Sequence, residues 1–149
     1  MIDVSAFNFK KYSYLEGHSY YIKECASIIS LGRQKGATTA IANIASKGFD
    51  DAITVIVVPT SKVRDIYYDT GLFEESGNYI KSDFKTVITH IESSHQSFRG
   101  VKSTPRFDKM NIIFDCCRLR QANEYMLELG RNSLLGGLKV NSVLINQPM

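Results

Sequence analysis

The stretch Ile53-Thr54-Val55-Ile56-Val57-Val58-Pro59 decides the fold. Six residues rich in β-branched side chains, apolar at odd and even positions alike, form a strand with no face left for water. Such a strand belongs inside a parallel sheet covered by helices on both sides. Pro59 stops it, because proline cannot donate to a ladder. Working outward, the pattern repeats. Upstream, Ala26-Ser27-Ile28-Ile29-Ser30-Leu31 reads as a short buried strand ended by Gly32. Ala40, Ile41, Ile44 and Ala45 then fall on one helical face, with Gly48 closing that helix. Downstream, Ser61 is the expected N-cap of a helix carrying Val63, Ile66 and Tyr67 and ending near Gly71. A looser strand, Thr86 to Ile91, follows. Met110-Asn111-Ile112-Ile113-Phe114 is a clear strand running straight into Asp115. Leu119, Ala122, Met126, Leu129 and Leu134 stand at helical spacing before Gly136-Gly137, and Val140 to Ile145 forms the last strand.

Strands alternating with helices predict an α/β domain, a three-layer sandwich around a mostly parallel central sheet. Right-handed crossovers place every loop that follows a strand on one edge, which is where open α/β sheets bind ligands. That edge would gather Gly32 to Thr39, Pro59-Thr60-Ser61, Asp115-Cys116-Cys117 and Asn146-Gln147-Pro148.

Composition bounds the rest. The 149 residues suit one domain spanning the chain, 1–149. At 44% apolar and 22% charged the chain is ordinary globular material. A domain of this size buries roughly two-thirds of its unfolded surface, so folding requires neither disulfide nor metal. A net charge of +3 is too small to argue by itself for nucleic acid or a membrane surface. Cys25, Cys116 and Cys117 are too few and badly spaced for a disulfide framework. They read as reduced thiols, buried as small hydrophobes, in a cytoplasmic setting. Met1 to Ser5 carries no basic stretch followed by an apolar core, and no apolar run approaches the roughly 18–20 residues of a membrane span, so neither a secretory signal nor membrane association is expected.

Chemistry concentrates in Gly32-Arg33-Gln34-Lys35-Gly36-Ala37-Thr38-Thr39. A strand, a glycine-flanked loop holding a lysine, two threonines and then a helix is the layout of a phosphate-binding loop. Glycines let backbone N–H groups approach phosphate oxygens, and the helix presents free N–H groups at its positive end. Lysine brings a mobile charge, and a threonine hydroxyl can ligate Mg²⁺. The usual GxxxxGK[ST] spacing is not met, since Ala37 follows Gly36 and Lys35 precedes it, so an ordinary strand-to-helix turn is the competing reading. Asp115, ending an apolar strand, is of the kind that holds Mg²⁺ through water beside such a loop; capping a following turn is its alternative role.

Taken in order, these signals resemble the ATPase core of large terminase subunits, the DNA-packaging motors of tailed phages, and more loosely the first motor domain of helicases. Leu31 to Thr39 resembles the terminase phosphate loop RQxGKTT. Val55 to Thr60 resembles the strand and Pro-Thr segment next in such proteins, Ser97-Phe98-Arg99-Gly100 a loop seen there, Ile112 to Asp115 the Walker B strand, and Val143 to Pro148 the strand ending in Thr-Pro that couples nucleotide state to DNA movement. The resemblance covers residues 12–148. It implies a P-loop NTPase fold of the RecA-like kind, with ATP and Mg²⁺ as cofactors. It implies Arg33 acting on the γ-phosphate, and Gln34, Gly36, Thr38 and Thr39 matching as written. Thr38 and Asp115 would hold the metal, and Gly32 to Thr39, Lys35 and Ala37 included, would form the nucleotide-binding loop. Two positions depart. Ala37 replaces the family lysine, with Lys35 two residues upstream in its stead. Cys116 stands where the family has the glutamate that orients water, and losing such a base typically costs about 10²–10⁴ in rate. Nucleotide binding with slow or absent hydrolysis is therefore expected. A chain this short is expected to hold no second motor or nuclease domain, so action on DNA would need further copies or a larger motor assembly. The alternative is a fold that has lost its nucleotide and serves as a DNA- or protein-binding module; a phosphotransferase is a third class.

His18, His90 and His95 show no metal spacing and read as surface or loop residues. Ser94 and His95 adjoin but lack a nucleophile elbow. Phe7, Phe9, Lys10, Lys11, Tyr12, Tyr14, Tyr20 and Tyr21 interleave aromatics with lysines, suited either to stacking on bases or to packing over the sheet edge. Arg99, Lys102, Arg106 and Lys109 form a basic cluster suited to a phosphate backbone or to water.

Overall fold

The structure, a computed structural model, describes residues 26–30, 36–47, 50–69, 86–91, 108–131 and 139–148. In chain order its elements are β1 (Ser27–Ile29), α1 (Ala37–Lys47), β2 (Ile53–Val58), α2 (Ser61–Asp69), β3 (Thr86–His90), β4 (Lys109–Asp115), α3 (Leu119–Arg131) and β5 (Lys139–Asn146). The strands form one sheet in the order β1-β5-β4-β2-β3, and every pairing is parallel. The expected mostly parallel sheet is thus wholly parallel among the described strands. β2 is buried along its entire length, as its two-faced apolar pattern requires.

The two faces follow from strand parity. On one, Ala40, Ile41 and Ala45 of α1 and Tyr67 of α2 pack over Ile56, Val58, Ile88, Ile113 and Leu144. On the other, Ala122, Tyr125 and Met126 of α3 pack over Val55, Val57, Ile112, Phe114, Val143 and Ile145. Phe114 and Tyr125 meet edge to face, with ring centroids 5.7 Å apart. Helices on both faces make the three layers. Among the described residues no helix is long and apolar enough to cross a membrane.

The helix starts are set by single residues. Gly36 adopts φ +80, and its carbonyl accepts the first bond of α1 from Ala40 N–H at 2.9 Å. A Cβ there would meet no atom within 4 Å, so the backbone angle and not crowding calls for glycine. Thr60, not the expected Ser61, caps α2: its Oγ1 accepts from Val63 N–H at 3.4 Å and its carbonyl from Arg64 N–H at 3.2 Å. Proline at 59 holds the chain extended just before that cap. α3 opens with half of a capping box, Gln121 Oε1 accepting from Arg118 N–H at 2.9 Å. Ile66 departs from the sequence reading. It is 50% exposed, while Tyr67, one position on, is fully buried. A 100° step per residue cannot put both neighbours into the same contact, and the longer ring wins it.

Candidate functional site

Because all strands run the same way, their carboxyl ends share one edge. β2 and β4 are neighbours whose connections leave to opposite faces, β2 into α2 on the first and β4 into α3 on the second. Diverging connections open a crevice at such a point, and ligands of open α/β sheets bind there. Asp115 is the last residue of β4 and stands at that edge.

Its side chain lies on the α1/α2 face, in register with Asn146 at the tip of β5. Asn146 Nδ2 donates to Asp115 Oδ1 at 2.8 Å, and the Tyr67 hydroxyl donates to Asp115 Oδ2 at 2.6 Å. Three elements, α2, β4 and β5, therefore converge on one carboxylate. Asp115 is only 1% exposed. Among the described residues its partners are two neutral donors, and no lysine or arginine pairs with it. A buried carboxylate normally has a cation or a metal beside it; here two hydrogen bonds from neutral groups hold it. Burial, and then the adjoining Asp115 charge and the bond to it, push the Tyr67 phenol well above its ordinary value, so Tyr67 remains a donor.

The turn beyond Asp115 is sharp. Cys116 has φ +60, in the left-handed region that non-glycine residues seldom occupy, and it is exposed. Cys117 is buried on the opposite face, where its thiol lies 3.6 Å from the Val57 carbonyl and 3.5 Å from that of Asp115. Burial, followed by the Asp115 charge, pushes this thiol up to about 12. The expectation that the cysteines serve as buried small hydrophobes holds for Cys117 and fails for Cys116, which the turn swings into solvent; both are unbridged.

Of the loop residues singled out from the sequence, Gly36, Ala37, Thr38 and Thr39 are described. Gly36 precedes the first turn of α1, Ala37 and Thr38 are half-buried and Thr39 is exposed. That turn carries no acidic residue of its own. Gly32, Arg33, Gln34 and Lys35 lie outside the described residues, as do Cys25, His18, His95, the Phe7–Tyr21 aromatic and lysine stretch, Ser97 to Gly100, and Arg99, Lys102 and Arg106 of the basic cluster. His90 is described: it ends β3, within the strand expected over Thr86 to Ile91, and is half-buried. No group of three or more His, Cys, Asp or Glu side chains arranged for a metal occurs among the described residues.

The sequence reading found Asp115 but missed the side chains that hold it. Asn146 was legible in principle, since it ends β5 as Asp115 ends β4. Tyr67 was not: it lies 48 positions away and looks like any core residue of an amphipathic helix. Comparison with protein-family models, curated proteins and solved structures returned no match to this chain.

Proposed function

We propose that this protein is a P-loop-type nucleotide-binding domain that takes ATP or another nucleoside triphosphate with Mg²⁺ and hydrolyses it slowly or not at all, of the kind found in phage DNA-packaging and helicase motors. The observation that carries this reading is Asp115: a buried carboxylate at the carboxyl edge of the central strand, held by two neutral donors and unpaired with any described cation. A hydrated Mg²⁺ supplies the positive charge that such a group calls for. The glycine-started helix α1 packs on the same face, and its first-turn N–H groups suit the phosphates. In this reading Lys35 and Arg33 contact the phosphates, the backbone from Gly36 to Thr38 cradles them, and Thr38 joins Asp115 on the metal. Metal-bound nucleotide would here be chiefly held, because Cys116, the residue after the acid, is a thiol that neither carries a stable carboxylate charge nor accepts strongly from water.

A second reading has one observation in its favour. Both Asp115 oxygens are already engaged within the protein, as they would be in a fold that has lost its ligand and kept the carboxylate as a structural clasp, serving as a DNA- or protein-binding module. Thermal melting separates the two. Millimolar Mg-ATP is expected to raise the melting temperature of the wild-type chain by several degrees, as ligand binding to the native state must. Lys35→Ala and Asp115→Asn should each abolish the rise. No rise with any nucleoside triphosphate would favour the clasp.

A further inference from the structure

The Tyr67–Asp115 bond joins a helix lying over the sheet to the tip of its central strand. Tyr67 is in the last turns of α2 and is fully buried, and its hydroxyl donates to Asp115 Oδ2 at 2.6 Å. The other carboxylate oxygen is tied within the sheet by Asn146, whose strand is fixed by ladder bonds on both sides. Of the two donors, only Tyr67 belongs to an element outside the sheet. α2 is also a short helix of nine residues, held at its start by the Thr60 cap and exposed at Ser61, Lys62, Asp65, Ile66 and Asp69. It is the shortest of the three described helices.

We infer that the Tyr67 hydroxyl is a latch on Asp115, closed when no cation is bound and opened when a metal–nucleotide complex takes over Oδ2, so that occupancy of the site is passed to helix α2. The inference rests on the nucleotide reading above and adds to it a residue and a consequence. The reason for competition is the chemistry of the oxygen. A carboxylate oxygen that accepts from a hydroxyl at 2.6 Å and is almost wholly covered is not available to metal-bound water until that donor yields. A charge-assisted hydrogen bond that must break before the cation binds lowers apparent affinity, on the order of tenfold or more.

The test is Tyr67→Phe, which removes the hydroxyl and keeps the ring, measured by calorimetric titration with Mg-ATP beside a thermal melt without nucleotide. A latch moves the two readouts in opposite directions. The variant should melt lower, because a buried bond is gone, and should bind Mg-ATP about tenfold tighter, because the bond no longer competes. Binding by the variant where wild type is silent would support the latch equally. If wild type binds and the variant binds no tighter, Tyr67 is a structural contact, the latch is wrong and the nucleotide reading survives. If neither binds, both readings fall together. Should Tyr67→Phe not fold, hydrogen exchange on the wild-type chain decides: Mg-ATP should speed exchange of the α2 amides from Arg64 to Asp69 while slowing that of α1, and uniform slowing would overturn the latch.

Discussion

Among the described residues, no cation settles the charge of Asp115. Its two oxygens take bonds from a phenol and an amide, and its backbone carbonyl lies beside the Cys117 thiol. Burial, and after it the same negative group, lifts the pKa of the neighbouring Tyr67 and Cys117, which has a consequence for stability at high pH. Cys117 has an ordinary value of 9.0 and is pushed up to about 12 in the native state. Between those values the unfolded chain loses the thiol proton and the native chain keeps it, so the unfolded state binds fewer protons and stability falls as pH rises. The contribution is intact below pH 9 and is lost progressively from there towards pH 12, with a limiting slope of about 1.4 kcal/mol per unit for a single group. Urea denaturation of wild type and Cys117→Ala at pH 8 and pH 10.5 checks it. The variant, less stable at pH 8 for lack of the packed sulfur, should show the shallower decline. Parallel declines would mean that the thiol does not stay protonated in the native state. Cys116, next in the turn, is a different case. A sequence position expected to behave like its neighbour is thrown outward by a single positive φ, which side-chain chemistry gives no means of foreseeing.

At the level of elements, most boundaries could be read because each rests on one local cause. β2 begins at Ile53 and stops before Pro59, β4 ends on Asp115, and α1 starts where Gly36 turns. What local pattern did not carry is how the strands align. The ladder sets Thr86 beside Thr54, Thr54 beside Asn111 and Asn111 beside Ser142, a row of buried polar residues across four strands on the α1/α2 face. Three members find partners: Thr86 Oγ1 donates to the Ala45 carbonyl at 2.9 Å, and Asn111 Oδ1 accepts from Ser142 Oγ at 2.6 Å and from Asn141 Nδ2 at 2.7 Å. Thr54 Oγ1 is buried with no hydrogen-bond partner. A hydroxyl in that position costs about 1–3 kcal/mol, and valine has nearly its shape. Thr54→Val should therefore raise the urea midpoint with an unchanged slope, by roughly 1 kcal/mol. A loss of stability would mean that the hydroxyl serves a bound water or a ligand. The cap of α2 teaches a smaller lesson of the same sort. Thr60 and Ser61 are both good caps, and only the bond to Val63 N–H distinguishes them.

Across the whole molecule, the α/β class followed from strands apolar on both faces, and the shared carboxyl edge followed from the class. The strand order did not, because it depends on which crossovers pass over which neighbours; β5 inserts between β1 and β4, so the strand before the Gly36 loop and the strand bearing Asp115 are not adjacent. The candidate site was legible in proportion. Asp115 announced itself as an acid after an apolar run, whereas Tyr67 became part of the site only when α2 folded back over β4. The account comes down to whether a cation accompanying a nucleotide sits at Asp115. The direct measurement is a crystal grown with Mn²⁺ and a non-hydrolysable ATP analogue, with the metal located by its anomalous scattering. The account predicts a metal peak one water away from the Asp115 carboxylate, with phosphate oxygens on the backbone N–H groups from Gly36 to Thr38. A crystal that leaves Asp115 bonded to Tyr67 and Asn146, with metal and nucleotide bound elsewhere or not at all, would contradict it.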